Sequence, residues 1–470
     1  MRAMTFRKLF GVSLVLAACV GDDSTTVDGG NDATTSDVMN GGDAGSADAS
    51  DASPPKLVEY SAGDTTSCAV YSDGSIWCWG NDGSGQTGQM PPTQTPQTVP
   101  QKVPGLPPMK FVSVGGFFAC AIAEANTVWC WGKNDLGQLG HAPTTGGDIL
   151  CATDACNPIP SQVGSILATG LTSSADFACA ITSNGINTGV TCWGQNNAGQ
   201  LGMVDSGAPT AVVGVPTLST ITEIVAKYPG GTVCLLDMNT HPWCWGDNTW
   251  GQTGHTPNTL GDFPYGTNRY GSATPHEVSY SPDGGGGFLN NVLQIHASYT
   301  TCAVIGDAGT ATNGELWCWG SNAAGNLANG TADIGGIVPH PQPAQVTSLS
   351  NVVDVRGGNS LCALVEGGGI WCWGAQPDVN GSVGTGMCAP YNGVTQDTCE
   401  LTPVQVSGVS ALGFTADHVH ALALDKDAGL VAWGNNSSGE LGHAPGTDGD
   451  FQDGSTSWQN AVPTPVQGLP

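Results

Sequence analysis

Short apolar segments alternate with glycine-containing turns along most of this chain, and the same order of segments recurs. One unit opens with an alternating segment that ends in glycine, as in Phe111-Val112-Ser113-Val114-Gly115. A Cys-Ala segment, a tight turn, a Trp-Cys-Trp-Gly segment, a Gly-x-Asn-x-x-Gly-Gln-Leu-Gly loop and a Pro-x-x-Val segment follow. Because alternation with a period of two is typical of half-buried strands, each unit predicts four short β-strands.

The Trp-Gly step of this unit occurs seven times, at Trp79, Trp131, Trp193, Trp245, Trp319, Trp373 and Trp433. Seven units of four strands predict an all-β fold, a closed seven-bladed β-propeller that covers residues 57–470. The first unit starts at Val58 and the last ends near Pro465. The two ends would continue the repeat, so we expect a strand or loop shared between the first and last units to close the ring.

Six of the seven units carry two cysteines, one on each strand of the central hairpin. Residues equidistant from a hairpin turn face each other at a distance that suits a disulfide. Buried free thiols and metal ligands are the alternatives, although thiolate zinc sites usually need four ligands from closely spaced pairs. The expected pairs are Cys68–Cys78, Cys120–Cys130, Cys179–Cys192, Cys234–Cys244, Cys302–Cys318 and Cys362–Cys372, with Cys151–Cys156 and Cys388–Cys399 in two insertions.

The seventh unit lacks both cysteines, which is expected if the two thiols of a unit are bonded to each other. It reads His420-Ala421 and then Val431-Ala432-Trp433-Gly434. Aligning the His-Ala step with the Cys-Ala steps places His420 at the lost cysteine position. His418 and His420 would share a strand face, where a metal pair is an alternative to a histidine that fills the vacated space.

The N-terminus has the pattern of a bacterial lipoprotein signal. A basic segment precedes an apolar stretch, residues 9–18, that is too short to span a bilayer. Residues 16–19 read Leu-Ala-Ala-Cys, which resembles the lipobox whose cysteine is acylated. We expect residues 1–18 to be removed and Cys19 to be lipidated. A simple cleaved signal with an incidental cysteine is the alternative, and it too implies export.

Residues 19–56 are rich in Gly, Asp, Ser and Thr and predict a disordered acidic tether. The whole chain has a net charge of −28, and only 11% of its residues are charged. Such an acidic surface argues against nucleic acid as a partner, because phosphate backbones are bound by cations. It also argues against electrostatic docking to an anionic membrane, so membrane contact is expected only through the N-terminal lipid.

The repeat resembles that of the regulator of chromosome condensation family of seven-bladed propellers. The resemblance rests on the Cys-Ala or His-Ala step, the Trp-Gly-x-Asn-x-x-Gly-Gln-Leu-Gly run and the count of seven. It implies the fold but no single function, since the family includes nuclear exchange factors for small GTPases, plant light sensors and secreted bacterial protein inhibitors. The export signal, the acidity and the expected disulfides depart from the nuclear members, so we expect no nucleotide exchange activity.

Most recurring polar and aromatic groups have a structural interpretation. The repeated tryptophans are expected to pack between blades rather than to form a sugar-stacking platform. The Gly-Gln-Leu-Gly loops lack the lysine of a phosphate-binding loop and are expected to be turns. Asp448, Asp450 and Asp453 form the densest acidic loop cluster, but their spacing fits no EF-hand. No catalytic constellation, metal site or cofactor site is apparent, so we expect no enzyme.

Four units carry long insertions after the Gly-Gln-Leu-Gly loop, assigned to residues 141–160, 255–290, 375–402 and 443–463. Insertions at the same position in every unit lie on one face of the ring. The candidate partner-binding residues are Trp250, Phe263, Tyr265, Arg269, Tyr270 and Trp458. The expected function is a non-catalytic, lipid-anchored platform that binds another protein at the bacterial envelope. A glycan-binding or glycan-processing propeller is the alternative.

Overall fold

The protein is built entirely of β-strands and turns across the residues that the computed structural model describes. These residues are 54–92, 95–183, 188–203, 210–215, 220–280, 287–306, 314–333, 337–375, 386–387, 398–452 and 457–470. Within these ranges no helix is long and apolar enough to cross a membrane. The expected signal peptide, Cys19 and almost all of the tether, up to residue 53, lie outside the described residues.

The strands form seven antiparallel blades in chain order. Blade 1 contains β1 (Leu57–Ala62), β2 (Thr66–Tyr71), β3 (Ile76–Gly80) and β4 (Gln97–Lys102). Blade 2 contains β5 (Met109–Val114), β6 (Phe118–Ala123), β7 (Thr127–Lys133), β8 (Ile149–Cys151) and the first part of β9 (Asp154–Ser173). Blade 3 contains the rest of β9, β10 (Phe177–Ser183), β11 (Thr188–Gly194) and β12 (Thr210–Val215). The continuous strand β9 therefore joins the sheets of blades 2 and 3.

The other four blades repeat this plan. Blade 4 contains β13 (Ile221–Val225), β14 (Thr232–Asp237), β15 (Pro242–Asp247), β16 (Phe263–Gly266) and β17 (Arg269–Glu277). Blade 5 contains β18 (Val292–Ala297), β19 (Thr300–Ile305), β20 (Glu315–Gly320) and β21 (His340–Gln345). Blade 6 contains β22 (Val352–Gly357), β23 (Ser360–Val365), β24 (Ile370–Ala375), β25 (Gly386–Met387) and β26 (Thr398–Gln405). Blade 7 contains β27 (Ala411–Ala416), β28 (His420–Asp425), β29 (Gly429–Asn435), β30 (Phe451–Gln452) and β31 (Trp458–Pro465).

The six hairpin disulfides form as expected. Each joins residues that face each other across the second and third strands of a blade, with Cα atoms 4.0 to 4.2 Å apart. Cys151 and Cys156 are bonded within the insertion of blade 2. Cys399 is also disulfide-bonded, and Cys388, its expected partner, lies outside the described residues.

The sequence alignment of the seventh unit is wrong by two residues. In blade 7, Leu422 faces Ala432 at the position that the two cysteines hold in the other blades. His420 instead faces Gly434, as Ser360 faces Gly374 in blade 6. The His-Ala step misled the alignment, whereas the constant spacing to the Trp-Gly step identifies Leu422. An apolar Leu–Ala pair therefore replaces the disulfide.

The ring is held by seven apolar clusters, one at each junction between blades. In each cluster the cysteine side of one blade, or Leu422 and Ala432 in blade 7, packs against the tryptophan of the next. The seven Trp-Gly tryptophans are fully buried, which confirms their expected packing role. In six junctions the indole Nε1 also donates to a loop carbonyl of the preceding blade at 2.8 to 3.0 Å.

Ring closure differs from the expectation of a shared strand. Blade 7 is completed by β31, which pairs with β29 of the same repeat. The junction between blades 7 and 1 is closed by packing and by side-chain hydrogen bonds. Trp79 Nε1 donates to the carbonyl of Glu440 at 2.8 Å, and Ser67 Oγ lies 2.7 Å from His420 Nε2. Each repeat therefore builds its own blade.

The insertions are shorter than predicted, because each assigned span contains part or all of the fourth strand. In blade 4 the fourth strand is β17, and Cys244 faces His276 within it. The Pro-x-x-Val segment of this blade is residues 275–278, which lie inside the assigned insertion 255–290. The true insertions in blades 2, 4, 6 and 7 precede β9, β17, β26 and β31, and each adds one outer strand.

Candidate functional site

All four insertions leave the ring from the same side. In each antiparallel blade, the connection between strands three and four lies beside the turn between strands one and two. The residue after the Trp-Gly step donates its amide to a carbonyl of that turn in all seven blades: Asn81 to Thr65, Lys133 to Phe117, Gln195 to Asp176, Asp247 to Gly231, Ser321 to Tyr299, Ala375 to Asn359 and Asn435 to Val419. We call this side the insertion face.

The Gly-Gln-Leu-Gly loops are structural turns, as expected. The glutamine side chain accepts an amide hydrogen from the residue two positions earlier, as Gln138 Oε1 does from Leu136 at 2.8 Å. The asparagine of the same loop accepts from the leucine, as Asn134 Oδ1 does from Leu139 at 3.0 Å. The backbone carbonyl of the glutamine then accepts a hydrogen bond from the indole Nε1 of the tryptophan in the next blade. These bonds occupy the polar groups that a ligand would need.

Three insertions begin with the same motif, His-x-Pro-x-Thr-x-Gly-Asp, at residues 141–148, 255–262 and 443–450. In each, one carboxylate oxygen faces the histidine Nε2 at 2.8 to 3.0 Å. The other oxygen accepts the loop asparagine side chain at 2.7 to 2.9 Å and one backbone amide. The histidine and aspartate therefore fix the base of each insertion, which the sequence analysis did not recognise.

This motif explains the acidic loop of blade 7. Asp450 Oδ1 faces His443 Nε2 at 3.0 Å, while Oδ2 accepts from Asn436 and Gly446. A carboxylate occupied in this way is a poor calcium ligand, and no group of three metal-ligating side chains lies together within the described residues. Asp453 lies outside them.

Several of the predicted binding residues are anchors of the insertion in blade 4. The Tyr265 hydroxyl lies 3.4 Å from Thr249 Oγ1 and beside the buried Asp247 carboxylate. Burial raises the pKa of Tyr265 and that of Asp247. Phe263 packs over Gly199 of blade 3. Tyr265 and Phe263 are therefore half-buried supports of the outer hairpin rather than free contact residues.

The remaining predicted residues are placed differently. Arg269 is exposed at the hairpin tip, with its guanidinium 6.0 Å from the Tyr265 ring, and Tyr270 is half-buried beside it. Trp250 is half-buried in its loop, and its carbonyl accepts the His340 amide of blade 5. Trp458 packs over Gly446 of its own insertion. Of the six candidates, only Arg269 is exposed.

Exposed apolar side chains on the outer strands are further candidates that the sequence analysis missed. Leu150 is 70% exposed and Ile149 is 41% exposed on β8, and Phe451 is 40% exposed on β30. Leu260 is 57% exposed in the motif loop of blade 4. Each lies within the three-copy motif or directly after it, so the motif itself could have identified them.

The central channel brings together charged side chains from the first strands of four blades and from the residues just after those strands. Lys227 faces Asp417 at 3.5 Å, and Arg356 Nε pairs with Asp354 at 3.1 Å. Glu59 lies in the same channel, where burial raises its pKa to about 8. Burial similarly raises the pKa of Asp417 to about 7. No local sequence pattern predicts this cluster, because its members come from distant repeats.

His418 contacts residues of three other blades at the end of the channel on the insertion face. Its Nδ1 lies 2.8 Å from Asp64 of blade 1, and its Nε2 lies 2.7 Å from the Asn359 side chain of blade 6. Its ring packs edge-on against Tyr228 of blade 4, with centroids 4.8 Å apart. His420 contacts Ser67 instead, so the two histidines do not form a metal pair. Burial lowers the pKa of His420 to about 4, which keeps its ring neutral at neutral pH.

Family models of the regulator of chromosome condensation (RCC1) repeat match residues 73–122, 126–181 and 313–365, and a second such model matches residues 110–138. The solved structure of yeast RCC1 (Prp20) bound to Kap60 has the same fold, with a TM-score of 0.62 over 84% of each chain and 20% identity. The chain is an RCC1-like repeat β-propeller.

Curated relatives of this RCC1-like propeller have different roles. The ultraviolet-B receptor UVR8 of Arabidopsis thaliana is 26% identical over 418 residues, which cover 86% of this chain and 83% of the receptor. The human E3 ubiquitin-protein ligase HERC2 is 28% identical over 214 residues, 43% of this chain and 4% of the ligase. The repeat is therefore shared by a receptor and by a much larger enzyme.

Proposed function

We propose that the protein is an exported, lipid-anchored propeller that acts as a non-catalytic protein-binding platform at the bacterial cell envelope. The observation that carries this proposal is the insertion face, where three insertions have identical His–Asp bases and exposed outer residues. A rigid base reduces the entropy that a loop loses on binding. The solved structure of Kap60 bound to yeast RCC1 (Prp20) is a precedent for protein binding by an RCC1 protein.

Export is supported by the cross-links and by the leader. Disulfides within six blades persist in oxidising compartments and are rare in the bacterial cytosol. The N-terminal pattern supports acylation at Cys19. Nucleotide exchange on a cytosolic GTPase is not part of this proposal, because the protein would not meet such a partner.

The position of the tether leaves the insertion face free. Lys56 precedes β1, and β1 begins at the side of the ring opposite the insertion face. A lipid anchor attached through residues 19–56 would therefore join the ring on the side away from this face. The long disordered tether would hold the ring off the membrane without orienting it.

Two observations count against the glycan alternative. The seven repeated tryptophans are fully buried and cannot stack on a sugar ring. The polar groups of the channel are mostly engaged with one another across the ring, as Lys227 is with Asp417. We therefore assign these groups a structural role.

The proposal is tested by capture and cross-linking of partners from envelope extracts with matched surface variants. Leu150→Ser and Arg269→Ala alter the insertion face, whereas Leu412→Ser and Lys426→Ala make the same changes on the opposite side. Leu412 is 57% exposed at the start of β27. We expect the first pair to abolish capture of a protein that the second pair retains. Equal capture by all four variants, or equal loss, would reject this face as the binding site.

A further inference from the structure

One buried lysine and one buried aspartate face each other across the channel. Lys227 follows β13 of blade 4, and Asp417 follows β27 of blade 7. Their Nζ and Oδ2 atoms are 3.5 Å apart, and the side chains are 10% and 0% exposed. Blades 4 and 7 are not neighbours in the ring, so this pair links opposite walls of the channel.

The backbone holds both side chains in this arrangement. The Lys227 amide donates to the carbonyl of Ala297 at 2.9 Å, and its carbonyl accepts from Gly230 at 3.1 Å. Asp417 Oδ1 accepts the His418 amide at 2.8 Å. Asp417 Oδ2 has no hydrogen bond in the described part of the chain other than its approach to the ammonium group. The free oxygen of the carboxylate is therefore the one that faces Nζ.

The surroundings disfavour the charged forms of both groups. Burial lowers the pKa of Lys227, and burial raises the pKa of Asp417 to about 7. Asp64 and His418 act on the Asp417 side, and Arg356 and Glu59 act on the Lys227 side. Both shifts favour transfer of a proton from the ammonium group to the carboxylate, which yields a neutral amine beside a neutral carboxyl group. These are the reactive forms for amide formation.

We propose that Lys227 and Asp417 condense into an isopeptide bond that joins blade 4 to blade 7. The Nζ–Cγ bond forms and the Cγ–Oδ2 bond breaks. Two of the three ammonium protons end on Oδ2, which leaves as water, and Oδ1 becomes the amide oxygen while it still accepts the His418 amide. No oxidant, reductant or other reactant is needed.

Two physical effects favour this condensation. Groups held in a fixed, well-aligned orientation react with effective molarities of about 10⁵–10⁸ M, which offsets the preference of free amides for hydrolysis in water. Two charges buried from water are also costly even when they are paired. The amide has no net charge, so its formation removes this cost.

A second lysine–aspartate pair in the chain has the same nitrogen–oxygen separation and serves as a control. Lys133 Nζ lies 3.5 Å from Asp154 Oδ2, the same separation, but there the aspartate side chain is 45% exposed. Water solvates that carboxylate, so this pair lacks the buried surroundings of Lys227 and Asp417. We expect Lys133 and Asp154 to remain an ion pair.

The test is mass spectrometry of the full chain carrying Cys19→Ser, reduced, denatured and digested. We expect one branched peptide that contains Lys227 and Asp417 and is lighter than its two parts by one water molecule. No such peptide should join Lys133 to Asp154. Separate, unmodified peptides for Lys227 and Asp417 in the folded protein would overturn the proposal.

A conservative variant separates the covalent bond from the ion pair. Lys227→Arg retains the charge but cannot form this amide, so the branched peptide should disappear. After reduction and denaturation, this variant should migrate as an unbranched chain, unlike the parent protein. Identical migration of the two would also count against the bond.

Discussion

At the residue scale, Glu440 occupies a position that glutamine holds in four other loops. Its Oε2 accepts the Ser438 amide at 2.8 Å, as Gln86 Oε1 accepts the Ser84 amide in blade 1. Glu440 is only 1% exposed, and burial raises its pKa to about 8. A protonated carboxyl group can therefore replace the amide of glutamine at this position.

This substitution makes stability depend on pH. Folded Glu440 keeps its proton up to about pH 8, whereas in the unfolded chain its pKa is near 4.5. The folded state therefore binds more protons between these values, and its stability falls as the pH rises through this window. Between pH 4.5 and 8 we expect the free energy of unfolding to decrease less for Glu440→Gln than for the parent protein. Denaturant unfolding at several pH values measures this difference. Glu366→Gln, at an exposed turn, is the control. A parallel pH profile for Glu440→Gln and the parent would contradict this account.

At the element scale, blade 7 suggests how a blade folds without a disulfide. Leu422 and Ala432 replace the cysteine pair and pack in the closing cluster with Trp79. A hairpin disulfide closes a short loop, so its entropic contribution is about 2–3 kcal/mol or less. Side-chain volume at the two positions should matter about as much as the bond.

The corresponding test transfers the blade 7 pair to blade 6. Cys362→Leu with Cys372→Ala should fold and lower the melting temperature less than Cys362→Ala with Cys372→Ala. The reason is that the double alanine variant leaves a cavity beside Trp433 as well as removing the bond. Thermal unfolding of both variants, with the reduced parent protein as reference, measures the difference. Equal melting temperatures would show that packing at this pair is unimportant.

The elements were predictable from the sequence where the repeat is regular. Period-two alternation and the Cys-Ala and Trp-Cys-Trp-Gly steps predict the first three strands and the disulfides. In blade 4 the predicted insertion, residues 255–290, covers the fourth strand, because the Pro-x-x-Val segment at 275–278 lies inside it. His420 was misplaced because a two-residue match was preferred to the spacing from Trp433.

The candidate site was less predictable for a physical reason. The insertion face can be predicted because the insertions occur at the same position in each repeat. Whether an aromatic side chain supports a loop or contacts a partner depends instead on what that side chain packs against. Tyr265 is an anchor because Asp247 and Thr249 lie beneath it. Lys227 and Asp417 meet only when the ring closes, so no local pattern relates them.

At the scale of the whole molecule, the anchor remains a prediction. If Cys19 is acylated, Cys19→Ser should move the protein from the detergent phase to the aqueous phase in a phase-partition assay. The physical reason is that the acidic body has no apolar membrane-spanning helix in the part described. Stable attachment normally needs more than one lipid chain, so the change should be nearly complete. Detergent partitioning that is unchanged in the variant would exclude the lipoprotein interpretation.

Because every blade is completed by its own repeat, the order of the blades is not tied to one starting point. A gene duplication that copies one whole repeat would insert a complete blade. No strand of that blade would have to pair with a sheet formed by another repeat. Moving the chain ends to another junction should likewise preserve the ring, except between blades 2 and 3, where β9 crosses. The ring can therefore have its chain ends at any of six of its seven junctions.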